Sequence, residues 1–186
     1  MSEQAVSRRG ALFAALLLGA GVAVALGVFG RVHEPSYGAT WPTFGFSSTA
    51  TFKAWTGTLV VALALAQVLT ALWLYGRLPG ARAAPAWLGP VHRASGTLAF
   101  VLSLPVAAYC LYGFGFAPEP FSTRTLTHSL AACALYGAFA AKVTLVHTRR
   151  LPGWALPVAG GLLFTAVVVA WLTSSVWLFS EVGLGT

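Results

Sequence analysis

Hydrophobic positions in this chain do not alternate with polar ones at either a helical or a strand period; they run together in long blocks separated by short polar punctuation. Five blocks approach or exceed the ~20 residues that an α-helix needs to cross a ~30 Å hydrocarbon core: Ala11 to Gly30, Trp55 to Tyr75, Val91 to Phe114, Leu126 to Val146 and Trp154 to Phe179. Backbone amides in lipid have no water to bond, so each block is expected to satisfy itself as a helix. The intervening segments are too short to fold alone. The pattern therefore predicts an all-α, polytopic bundle of about five transmembrane spans, with residues 1–186 as one membrane domain.

Composition agrees: 58% of the residues are apolar and 8% charged, against about 25% charged in soluble domains. The pI of about 10.1 does not point to nucleic acid, because the basic residues sit at the ends of the blocks. With the N-terminus in the cytoplasm, Arg8, Arg9, Arg77, Arg82, Arg93, Lys142, Arg149 and Arg150 fall on or near the inner side, and only Arg31, Lys53 and Arg124 fall outside. This bias predicts an inner N-terminus, an outer C-terminus and a multi-pass protein of the cell membrane. Ser7-Arg8-Arg9 resembles the start of a twin-arginine export signal, but the apolar run that follows is longer than the usual ~7 to 15 residues and leads to no convincing cleavage site, so a retained first span is expected.

Within the spans, Gly19, Ala20, Gly21 and Ala23 offer a small-residue strip for close helix contact. Gln67 is expected to bond to a neighbouring helix. Pro90 suits the first turn of the third helix, and Pro105 predicts a kink in its outer half. The loop from Arg31 to Phe52 holds Tyr37, Trp41, Phe44 and Phe46, as an interfacial belt or a partner-facing cap would. Cys110 and Cys133 lie toward the outer ends of the third and fourth spans, where a disulfide is geometrically conceivable and two small packing residues are the plainer reading.

Four histidines carry most of the candidate chemistry. His92 opens the third span and His147 closes the fourth, both on the inner side; His128 and His33 lie on the outer side. Haem in a helical bundle needs two imidazoles at one depth from different helices, a condition His92 and His147 meet. From His92, positions Ser95, Gly96, Ala99 and Ser103 form a small-residue face on which a macrocycle or another helix could lie. Arg93, Arg149 and Arg150 would neutralise propionates. Histidines at span ends also serve simply as interfacial residues. His128 and His147 are 19 residues apart on one helix, roughly 28 Å, and about 100° apart in azimuth, which disfavours two haems stacked on one face of that helix. Lys142 is expected to snorkel as an anchor; Tyr109, Tyr112 and Tyr136 could line a haem or quinone pocket, or simply pack.

The segments VHRASGTLAF (91–100) and LTHSLAACALYG (126–137) resemble helices of small membrane cytochromes of the cytochrome b561 and ferric-reductase kind. The stretch from Trp87 to Trp177, with YGAFAAKVTLVH and LPGWALPVAGGLLF, is similar to an uncharacterised family of five-span bacterial membrane proteins often encoded beside a Rieske iron-sulfur protein. The resemblance implies an electron-transfer subunit with b-type haem on His92 and His147, a possible second haem on His128 and His33, and a Rieske-type protein or quinone as redox partner. With no substrate-reducing site visible, it would be a relay. A cofactor-free anchor or assembly subunit of a larger complex is the rival, and a small transporter is disfavoured by the absence of intramembrane carboxylates.

Overall fold

The computed structural model describes residues 3–37, 40–118, 121–148 and 151–184. They form α1 (Glu3–Val32), α2 (Thr49–Leu74), α3 (Leu88–Gly113), α4 (Thr123–Val146) and α5 (Ala155–Trp171); a π-helical turn, Leu172–Val176, continues α5 into α6 (Trp177–Val182). There is no strand among the described residues. Five helical segments are long and apolar enough to cross a membrane: Arg9–Val32, Thr49–Leu74, Leu88–Gly113, Thr123–Val146 and Ala155–Val182. The chain is a multi-pass membrane protein whose outer surface meets lipid, and Leu16, Leu17, Val24, Leu98 and Leu162 are accordingly exposed.

Each predicted span is present, with some ends extended. α2 begins at Thr49, six residues before the apolar block, because Ser48 caps it, its hydroxyl accepting from Thr51 N at 3.1 Å. That extension carries Lys53 into the helix, where its ammonium lies 4.0 Å from the centre of the Phe114 ring. Lys53 is thus a second intramembrane lysine beside Lys142. Ser122 starts α4 through a capping box with Thr125. Pro90 falls in the first turn of α3, and the helix runs on through Pro105.

The helices pack as a ring in the order α3, α2, α5, α4, α1, closed by a light α1–α3 contact. α1 lies against α4, not against its sequence neighbour α2. A Cβ on Gly19 would stand 2.7 Å from the Gly137 carbonyl oxygen, and one on Gly137 would stand 2.5 Å from that of Gly19, so only glycine admits this approach. The contact strip is Ala15, Gly19, Ala23 and Gly27, at spacing four: Ala15 is 1% exposed, Ala23 would meet a Cβ on Gly137 at 3.0 Å, and Gly27 looks at Cys133. The expected strip was partly misplaced, since Ala20 is exposed and Gly21 has open space before it. Between α2 and α5 the core is Val60, Ala64 and Val167.

α3 and α4 face one another without extended backbone contact, and aromatic side chains span the gap. Phe100 and Phe139 stack at 4.0 Å with rings 5° from parallel, and Tyr136 donates its hydroxyl to Ser103. At the outer end, the aromatic loop folds onto its own bundle. Trp41 packs on Tyr109 at 4.9 Å, Tyr109 donates to the Pro42 carbonyl at 2.7 Å, and Phe44 and Phe46 pack on Phe52.

Candidate histidine site

At the inner end, α2 and α3 are joined by a polar clasp. Gln67 Nε2 donates to the His92 carbonyl at 2.6 Å and to Ser95 Oγ at 2.7 Å, which bears out the expectation that this amide bonds to a neighbouring helix. Gly96 makes room for it: a Cβ there would stand 2.8 Å from Gln67 Oε1. The Ser95 and Gly96 part of the small-residue face is therefore occupied by helix α2, and only the Ala99 and Ser103 part remains toward α4.

One turn along α2, Thr70 Oγ1 lies 2.7 Å from His92 Nδ1. The Thr70 hydroxyl also lies 2.7 Å from the Ala66 carbonyl and 3.2 Å from that of Gln67, so its proton has acceptors besides the ring. His92 Nδ1 is tied to Thr70, and its Nε2 makes no hydrogen bond among the described residues. His147 Nδ1 lies 2.8 Å from the Val143 carbonyl, and His128 Nδ1 faces the Ala170 carbonyl at 3.1 Å and Thr173 Oγ1 at 3.2 Å. A carbonyl only accepts. His147 and His128 thus present Nε2 as the basic nitrogen, and His92 has its Nδ1 tied to Thr70, an arrangement that resembles metal-ligating imidazoles whose other nitrogen is held by an outer partner.

The α3–α4 register brings His92 and His147 level. Each lies eight residues to the inner side of its partner in the Phe100–Phe139 stack, about 12 Å along the helix. Each also lies eleven residues from its partner in the Ser103–Tyr136 hydrogen bond. Eleven residues are about three turns, so the two histidines stand near the azimuths of Ser103 and Tyr136 on their own helices, with the His92 ring turned to Thr70 on α2. His92 is half-buried and His147, at the C-cap of α4, is exposed. Lys142 and Arg93 are near enough to act electrostatically on His92; Arg149 and Arg150, expected beside them, lie outside the described residues.

The outer histidines sit at different contacts. His33 lies at the junction of α1 and α3, stacked on Phe29 at 5.0 Å and edge-on to Tyr112 at 5.1 Å, with Nε2 buried and without a hydrogen-bond partner among the described residues. His128 is bound to α5 through the π-helical turn, and Arg124, one turn away, donates to the Thr173 carbonyl at 2.7 Å with its guanidinium 3.7 Å from the Trp177 ring centre. A π turn widens the helix and re-aims its carbonyls, a feature common at functional sites. Cys110 and Cys133 are free thiols facing different neighbours, Cys110 near Lys53 and Cys133 at the α1 contact.

Thr70 and the π turn were not singled out in the sequence. Thr70 was discoverable, because Gln67 and Thr70 are polar residues three apart in an otherwise apolar run and so share a helix face. The π turn had only the Thr173-Ser174-Ser175 triplet as its signal. No curated protein and no solved structure matches the chain. Residues 12–186 match a family model described as a family of unknown function (DUF6529), and with nearly the whole chain covered the protein belongs to that family.

Proposed function

We propose that this chain is an electron-transfer subunit of the cell membrane in which His92 on α3 and His147 on α4 would hold one b-type haem. One observation carries the reading: two imidazoles at one depth on α3 and α4, each with Nδ1 in a hydrogen bond and with none at Nε2 among the described residues. Bound haem would supply a one-electron carrier. The protein's own part is orientation and enclosure. Thr70 holds the His92 ring, the Gln67 clasp holds the backbone beneath it, and the Phe100–Phe139 stack closes the gap toward the membrane centre. Lys142 and Arg93 supply positive charge for propionates. The outer pair is left out of this count because His33 and His128 are seated at separate helix contacts. Electrons would pass to or from a partner such as a Rieske-type iron-sulfur protein or quinone.

A cofactor-free anchor subunit is the second reading, favoured by Tyr37 and Phe44, which are 65% and 68% exposed at the outer end. Purification in mild detergent from haem-replete cells, with a reduced-minus-oxidised spectrum and a pyridine haemochrome count, separates the two. One b-type haem per chain is expected. Two haems would bring His33 and His128 back as ligands, and a colourless folded protein would favour the anchor.

A further inference from the structure

On the lipid-facing side of the α1–α4 contact, toward the outer end, an open groove of about 800 Å³ runs between the helices. Its α1 wall is Arg31, Val28 and Val24, with Gly27 and Ala23 behind them; its α4 wall is Leu126, Leu130 and Ala134. On each helix these positions repeat at spacings of three and four over eight residues, so the groove follows the helix axis for about 12 Å. Its upper end is shaped by the α3–α4 loop. Phe116 N donates to the Gly30 carbonyl at 2.7 Å and Ala117 N donates to Ser129 Oγ at 3.0 Å, which fixes the Phe116 ring as a wall.

The charge in this groove is all at one end. Arg31, in the last turn of α1, is its one charged lining residue, exposed and without a hydrogen bond or ion pair among the described residues. Below it the lining is apolar, apart from the Cys133 thiol. A cation at the depth where the helix leaves the hydrocarbon, above a strip parallel to the membrane normal, is complementary to an amphiphile with an anionic head and a straight apolar chain. A flat polar ring would need hydrogen-bonding groups along the walls, which these side chains do not offer.

We infer that the groove is a binding site for an anionic glycerophospholipid, its phosphate on Arg31 and one acyl chain between α1 and α4. An anionic head is preferred to a zwitterionic one because choline would bring a second positive charge to Arg31. This site is separate from the inner histidines and does not depend on haem being bound.

The test is native mass spectrometry of the full chain in detergent, titrated with palmitoyl-oleoyl phosphatidylglycerol or with the phosphatidylcholine of the same chains. The expected result is one tight phosphatidylglycerol adduct per chain, with the choline lipid weaker. Arg31→Gln should weaken that adduct about tenfold, the scale of one charged hydrogen-bond pair. Gly27→Leu should abolish it by filling the groove floor, where a new Cβ meets nothing closer than 3.7 Å. Arg31→Gln alters an exposed side chain, so the test stands even if Gly27→Leu misfolds. Equal binding of both lipids would overturn the proposal, as would an equal loss in the control Arg77→Gln, which would mark non-specific attraction. Retention of an isoprenoid quinone that is sensitive to Gly27→Leu but not to Arg31→Gln would overturn it in favour of a neutral ligand.

Discussion

At the inner end of the bundle, His92 is oriented by a hydroxyl from the helix beside it, and His147 stands at the same level on α4. At the outer end, His33 and His128 are each sunk into a contact between packed elements, one among rings of α1 and α3 and the other against the π turn of α5. The inner histidines stand level on two helices without extended backbone contact, whereas the outer geometry uses imidazole as packing and as a hydrogen-bonding strut. Two histidine pairs of similar appearance in the sequence are thus set apart by what separates their helices. α3 and α4 are held away from each other by aromatic side chains, while α1 meets α4 at glycine distance.

The sharpest way to break this comparison is to remove one histidine at a time. His92→Ala and His147→Ala are each expected to eliminate the b-type spectrum, while His33→Ala and His128→Ala leave it in place; a spectrum that survives His92→Ala would sink the inner assignment. Next in size is Thr70→Val, which takes away the hydrogen-bond partner of His92 Nδ1. Loss of such an outer partner weakens metal-site affinity by about 10 to 100-fold, so haem titration of the apoprotein should shift by that factor, with a smaller change in thermal stability.

At the outer end the expected effects are on stability alone. Arg124→Gln removes a charged hydrogen bond to the π turn and the contact with Trp177, a loss of about 1–3 kcal/mol, measured as a lower melting temperature in detergent with the haem spectrum unchanged. A spectral change there would mean that the two ends are coupled through α4 and α5. The smallest effect is expected from Tyr136→Phe, which deletes the Ser103 hydrogen bond, for about 1 kcal/mol. Because that residue lies three turns above the inner pair, the variant also tests whether the α3–α4 spacing rests on the Phe100–Phe139 stack.

The helices were legible in the sequence and their neighbours were not. The five spans, the role of Gln67 and the depth of each histidine all follow from residue order, since a helix converts residue number into height at a constant rise. The inclusion of Lys53 in α2 was not legible, because the helix N-terminus is set by the Ser48 hydroxyl bond, which lies outside the apolar block from which the span was read. The small-residue strip on α1 was legible only in part: Gly19 and Ala23 belong to it, but choosing Ala15 and Gly27 over Ala20 and Gly21 requires knowing which side meets α4.

By itself the sequence determined that this chain lives in a bilayer as five helices, because apolar length and the need to satisfy every backbone amide leave no other solution. Only the tertiary structure decided that α1 pairs with α4, that α3 and α4 stand apart, and which nitrogen of His92, His128 and His147 is tied. The physical reason is that hydropathy is equal on all sides of a helix in lipid. Choice of neighbour therefore falls to a few small and polar side chains whose partners are distant along the chain.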